Sequence, residues 1–179
     1  MEIRFVSACT EQQLSAIETL YTEAFPKEER KPFSLLIEKS REGTVDILCI
    51  ESAENGMIGE AIVAKNQGLA LLDYFAVSPR FRNGGAGSYA LKALQDRYAE
   101  YNFILEIEST FHPAPDLDLR RRRKAFYLRN GMECMDYFVC LFGIEMEMLA
   151  HGRQVDFEQY HALYKNVFGP EIAENILLI

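Results

Sequence analysis

Arg82, Gly85 and Gly87 lie between an apolar run, Leu71–Val77, and an amphipathic stretch that begins at Ser88. A turn that opens a helix presents backbone N–H groups with no intrahelical acceptor, and such groups bind anions. Glycines in the turn carry no Cβ, so a phosphate can approach the chain closely. The Arg82 guanidinium adds a fixed positive charge beside them. The pattern points to a pyrophosphate-bearing ligand held by Arg82, Asn83, Gly84, Gly85, Ala86, Gly87 and Ser88. Carboxylates and a phenol stand nearby in sequence. By strand periodicity Asp73 shares a face with Phe75 and Val77, and Glu106 shares a face with Glu108. Asp73 sits among Leu71, Leu72 and Phe75, where burial without a partner is costly. That makes it a candidate for moving a proton, whereas Glu106 and Glu108 also read as solvated edge charges. Tyr127 ends a basic helical stretch, and by its residue type and spacing alone it reads as core packing.

The elements that must position these residues follow from periodicity. Ile3–Ser7 reads as a strand, and Thr10 with Gln13 forms a capping box for a helix that Pro26 stops. Pro32 suits the first turn of a second helix, through about Ser40. Strands at 44–51, 57–64 and 69–77, joined at Asn55-Gly56 and at Asn66-Gln67-Gly68, form an antiparallel meander. A helix follows over 88–98 and a strand over 103–108; their crossover makes the strands at 69–77 and 103–108 parallel neighbours. The segment 111–119, with two prolines, reads as irregular, and 120–129 as a helix stopped by Asn130-Gly131. Strands at 133–138 and about 141–148 come next. Asp156 caps a last helix, on which Phe157, Tyr160, His161, Tyr164 and Phe168 share a face that could dock within the chain or form a dimer contact. The fold class is α+β, with a central mixed, mostly antiparallel sheet and helices on both faces.

Two ligand classes compete for the glycine turn. Gly85-x-Gly87-x-x-Ala90 fits a dinucleotide fingerprint, with acidic residues roughly 20 positions on. That motif leads its strand almost directly into the first glycine, however, whereas here Pro79 and Arg82 intervene, and the preceding strands are a meander with a single βαβ unit. A Walker-type loop is excluded, because no Gly-Lys-Ser/Thr follows. The alternative is a resemblance. Arg82-x-x-Gly85-x-Gly87, after a strand ending Ala76-Val77-Ser78-Pro79, resembles the acetyl-CoA-binding motif of the GNAT N-acyltransferase superfamily. Arg120 to Met132 resembles that family's helix carrying Phe-Tyr before a glycine, and the element order matches from Ile3 to Met148. Met132 stands where the family has an aromatic residue, and Asn83-Gly84 where Gly-Lys or Gly-Arg is usual.

The resemblance implies an N-acetyltransferase that moves an acetyl group from acetyl-CoA, its cosubstrate, to a primary amine of a small cationic molecule, protein or peptide by direct attack. It implies that Phe75, Ala76 and Val77 offer their backbone to the pantetheine arm, and that Arg82–Ser88 bind the pyrophosphate. The splay between the strands at 69–77 and 103–108 would admit the thioester. Tyr127 would protonate the departing thiolate, with Asp73 or Glu108 handling the amine's proton. Glu28, Glu29 and Arg30 would lie over the acceptor side. From another class, the same fold could serve as a non-catalytic CoA-binding sensor or interaction module. The matched domain is 1–150, with 151–179 a helical extension packed on it.

The bulk properties agree with this. At 179 residues one domain is the default, and a net charge of −8 argues against nonspecific nucleic-acid binding while permitting a cationic substrate. Cys9, Cys49, Cys134 and Cys140 have no Cys-x-x-Cys spacing and read as reduced thiols in a cytoplasm. Neither a signal-peptide core nor a membrane-spanning run is seen. The run Arg120–Lys124 spreads around a helix and cannot make one flat basic patch. His112 and His161 have no partner at metal-ligand spacing, so no metal is expected.

Overall fold

The computed structural model describes residues 3–179. The chain runs β1 (Ile3–Ser7), α1 (Glu11–Ala24), α2 (Phe33–Arg41), β2 (Val45–Ser52), β3 (Gly56–Asn66), β4 (Leu69–Val77), α3 (Ala86–Arg97) and β5 (Asn102–Glu108). It continues through α4 (Leu117–Arg129), β6 (Glu133–Leu141), β7 (Ile144–His151), α5 (Phe157–Phe168), α6 (Pro170–Ala173) and β8 (Ile176–Leu178). The class is α+β with mixed, mostly antiparallel strand pairing, as expected. Two compact units form, one from Met1–Ala64 and Leu72–Leu94, the other from Lys65–Leu71 and Gln95–Ile179. Of the segment 1–150 read as one domain, residues 1 and 2 lie outside the described residues; 151–179 belong to the same unit as β5, α4, β6 and β7. Among the described residues no helix is long and apolar enough to cross a membrane.

In the first unit the strands follow the order β1-β2-β3-β4. β1 pairs antiparallel with β2 from Ile3↔Ser52 to Ser7↔Leu48, and β2 with β3 from Val45↔Ala64 to Ser52↔Gly56, with a bulge at Ile50/Glu51. The Thr10 capping box forms: Thr10 Oγ1 accepts from the Gln13 amide at 3.2 Å, and Gln13 Oε1 accepts from the Thr10 amide at 3.2 Å. Ile17, Tyr21 and Leu36 from the helices are buried, as are Ile47, Leu48 and Ile62 from the strands. A second cluster joins Ile50 and Ile58 to Ala86 and Ala90, with Phe75, Val77 and Phe81 packed against it. Small residues at 86 and 90 let the first turn of α3 lie close to the strands, and this fixes the glycine turn.

In the second unit the order is β4-β5-β7-β6-β8. β4 and β5 are parallel, as the crossover requires, over three pairs from Leu69↔Asn102 to Leu71↔Ile104. The other ladders are antiparallel. Three features of this unit depart most from expectation. α4 starts at Leu117, inside the segment read as irregular, because the Asp116 carbonyl already accepts helical bonds from Leu119 and Arg120. The last hairpin turns at Phe142-Gly143, with φ of 50° and 83°, so β6 reaches Leu141 and the following strand starts at Ile144. A short strand, β8, then returns to pair with β6 from Val139↔Leu178 to Leu141↔Ile176. The aromatic face of α5 docks within the unit: Tyr160, Leu163, Tyr164, Val167 and Phe168 are buried.

Candidate active site

The first unit holds the glycine turn and the strand before it. After β4 a single 3-10 turn, Pro79–Phe81, drives Phe81 into the Ile50–Ala90 cluster. Arg82 follows, and its Nε donates to the Val77 carbonyl at 2.9 Å, which holds the guanidinium at the end of β4. Asn83 and Gly85 take φ of 66° and 82°. Left-handed residues flanking Gly84 bend the chain so that α3 starts at Ala86, two residues before the expected Ser88. The amides at the head of α3 have no acceptor of their own within the helix, and they come directly after a basic side chain. Phe75, Ala76 and Val77 complete this group. Gly59 lets β3 reach it, since a Cβ there would stand 2.5 Å from the Ala76 carbonyl oxygen and 3.2 Å from Val77 Cα.

Asp73 also lies in this unit, and it is paired. Lys31 Nζ donates to both its oxygens, at 2.7 and 2.9 Å, with the two side chains 9 % and 4 % exposed. The buried carboxylate left without a partner is one the sequence reading missed. Glu60 on β3 is fully buried, opposite Cys49 in the ladder, and neither of its oxygens has a hydrogen-bond partner among the described residues. Burial pushes its carboxyl up to about 8. It also contributes, after burial and Glu51, to raising the Cys49 thiol to about 11. The signal was present: Glu60 interrupts the apolar run Ile58–Ala64 just as Asp73 interrupts its own.

The second unit holds Tyr127 and Glu108. Residues 120, 123, 124 and 127 fall on one face of α4, at helical spacing. Arg120 Nη2 donates to Glu108 at 2.7 Å and Arg123 Nη1 at 3.1 Å. Lys124 pairs with Glu147, which also accepts from the Thr110 amide at 2.8 Å and the Thr110 hydroxyl at 2.6 Å. Burial would raise the Glu147 carboxyl, but the bonds from Lys124 and Thr110 outweigh it and hold it below its ordinary value. Three members of the basic run are thus spent on carboxylates of the fold, while Arg121 and Arg122 are exposed. Tyr127 is buried, and burial pushes its hydroxyl up to about 12 against the opposing charge of Arg123. Glu106 Oε1 accepts from Tyr160 and Tyr164 at 2.6 and 2.8 Å, so this carboxylate anchors α5. Met132, in place of an aromatic residue, is buried and receives Gln95 Nε2 at its sulfur, 3.5 Å away.

The fold has known counterparts. Residues 14–132, two thirds of the chain, match the acetyltransferase (GNAT) family model. Among solved structures, a Bacteroides thetaiotaomicron protein described as an acetyltransferase of the same family is 25 % identical. It superposes with a TM-score of 0.77 over 93 % of this chain and 98 % of that one. An aminoglycoside 6'-N-acetyltransferase in complex with coenzyme A is 13 % identical, with a TM-score of 0.68 over 87 % and 100 %. A chimera of the spermidine N-acetyltransferase SpeG of Vibrio cholerae with hSSAT is 13 % identical, with a TM-score of 0.67 over 84 % and 95 %. The last two likenesses are of fold. No curated protein sequence matches.

Proposed function

The chain belongs to the acetyltransferase (GNAT) family and is an acyltransferase; from that premise we propose that it transfers an acetyl group from acetyl-CoA to a primary amine of a small cationic molecule, protein or peptide. One observation carries the reading. In a chain of this family, a turn with left-handed Asn83 and Gly85 leads from an anchored arginine straight into the head of α3. These groups suit a pyrophosphate, which would sit on the α3 amides beside Arg82. Phe75, Ala76 and Val77 would offer their backbone to the pantetheine arm, as the family resemblance implies. The solved neighbour with bound coenzyme A supports this choice of donor.

In the proposed reaction the neutral amine nitrogen attacks the thioester carbonyl carbon. As the C–S bond breaks, the sulfur takes the proton of the Tyr127 hydroxyl, and the phenolate regains one from water while the acylated nitrogen loses one. Burial raises the hydroxyl to about 12, which keeps it protonated at neutral pH but also makes it a weaker acid, so in this proposal the transfer waits on the charge that builds on the sulfur. Glu108 already holds two guanidinium groups. In this proposal it orients α4, and with it Tyr127, instead of accepting the amine's proton. A net charge of −8 and the acidic pair Glu28-Glu29 support a cationic acceptor.

The test is Tyr127→Phe. Acetyl-CoA should raise the melting temperature of both proteins alike, because binding to the native state stabilises it by mass action. Turnover of an amine panel, with spermidine, an aminoglycoside and an N-terminal alanine peptide, should fall by about 100-fold or more in the variant. Unchanged turnover would remove Tyr127 from the chemistry. No stabilisation by acetyl-CoA would remove the donor assignment.

A further inference from the structure

We infer that Asp73 is a positioning residue: with Lys31 and Tyr74 it latches the segment Phe25–Lys31 onto β4, and it does not accept the amine's proton. The inference rests on the proposed acetyl transfer for its functional meaning and on the first unit alone for its geometry. Consecutive residues of β4 grip this segment in different ways. Asp73 takes the Lys31 ammonium at both oxygens. The Tyr74 hydroxyl accepts from the Lys31 amide at 3.0 Å and donates to the Glu29 carbonyl at 2.9 Å. From α1, the Tyr21 hydroxyl donates to the Lys31 carbonyl at 2.9 Å. The Tyr74 ring packs edge-on against Tyr21 and Phe25, with centroids 4.7 and 5.0 Å away, and Lys31 Nζ lies 5.3 Å from its centre. Both polar groups of the Lys31 backbone and its ammonium are therefore engaged, and each of these contacts involves β4 or α1.

Charge balance argues against a base at this position. A proton moved onto Asp73 would leave the Lys31 ammonium, 9 % exposed, beside a neutral acid. Breaking a buried pair in that way is costly. The same pair is well suited to a latch, because it fixes a loop that has only a single 3-10 turn, Lys27–Glu29, of its own regular structure. The next residues along β4, Phe75 to Val77, are those proposed to hold the donor. One strand thus sets both the donor's backbone partners and the path of the loop bearing Glu28, Glu29 and Arg30.

The test compares Lys31→Met, Asp73→Asn, Lys31→Arg and the double variant Lys31→Met/Asp73→Asn. Hydrogen exchange at the Lys31 amide, which Tyr74 holds, reads the latch without any substrate. Both single neutral variants should speed it by about 10-fold, the ratio that corresponds to a coupling of usual size between contacting residues. The double variant should add little, and Lys31→Arg should restore protection. With spermidine as the probe amine, Lys31→Met and Asp73→Asn should raise KM to a similar extent and leave the acid limb of the pH–rate profile in place. Unchanged exchange in both neutral variants would overturn the inference. So would an Asp73→Asn variant that alone loses turnover together with that acid limb. A wild-type protein with no acetyl transfer would defeat the proposed function, while the exchange measurement would still decide the latch.

Discussion

Replacing Glu60 by glutamine should stabilise this protein at neutral pH and remove a pH dependence that the wild type shows. The carboxyl is fully buried on β3 with both oxygens unpartnered among the described residues, and burial pushes it from 4.5 up to about 8. A raised carboxyl means that the folded state prefers the protonated form. Folding therefore takes up a proton between the unfolded value and the folded one. Stability from this group is present in full below 4.5 and is lost progressively until the pH passes about 8. At about 1.36 kcal/mol per unit, the penalty is about 1 kcal/mol at pH 5 and about 3 kcal/mol at pH 7. Glutamine keeps the size of the protonated acid and cannot ionise, so its stability should not follow this slope. Urea unfolding of both proteins at half-unit steps from pH 5 to pH 8.5 measures it. The gap between the two curves should open by about 2 kcal/mol from pH 5 to pH 7, with m unchanged. Parallel curves would refute the reasoning, because they would mean that water or a partner already satisfies the carboxylate.

Two further outcomes test the packing within each unit. Lys124→Met strands Glu147, whose side chain is 4 % exposed, and should cost about 3 kcal/mol at pH 7. Because Glu147 is held below its ordinary value, the wild type's advantage should shrink as pH falls through the carboxylate range, which thermal unfolding at pH 4 to 7 will show. Gly59→Ala places a Cβ 2.5 Å from the Ala76 carbonyl. The strands must then part, at a cost of about 1–3 kcal/mol, and acetyl-CoA should stabilise this variant less than the wild type in a thermal-shift titration.

Legibility in the sequence tracked the range of the physics. The β4 boundaries, the Thr10 capping box, the Asp156 cap and the parallel pairing of β4 with β5 came from local patterns or from handedness, and they stand as read. So does the family, because the glycine turn and the helix bearing Tyr127 are contiguous motifs. What escaped was set by partners distant in sequence. Lys31 lies 42 residues before Asp73, and Tyr160 lies 54 residues after Glu106. No periodicity reports such pairs. β8, only three residues long, carries too little pattern to be seen, and it exists through its ladder with β6.

The carboxylates show why candidate bases are hard to rank from sequence. Asp73, Glu106, Glu108 and Glu60 all interrupt apolar strands, and the cost of burying a charge flags each of them equally. The structure separates them by what neutralises that cost. An ammonium does so for Asp73, two phenols for Glu106 and two guanidiniums for Glu108. For Glu60 no described residue does, and burial raises its carboxyl to about 8. The first three have given their charge to fixing a loop, a helix and the element that bears Tyr127. Proton transfer to any of them would release the part it holds. Under the proposed acetyl transfer, this leaves the thiolate's proton to the Tyr127 hydroxyl, which is not one of these neutralised carboxylates, and the amine's own proton to solvent.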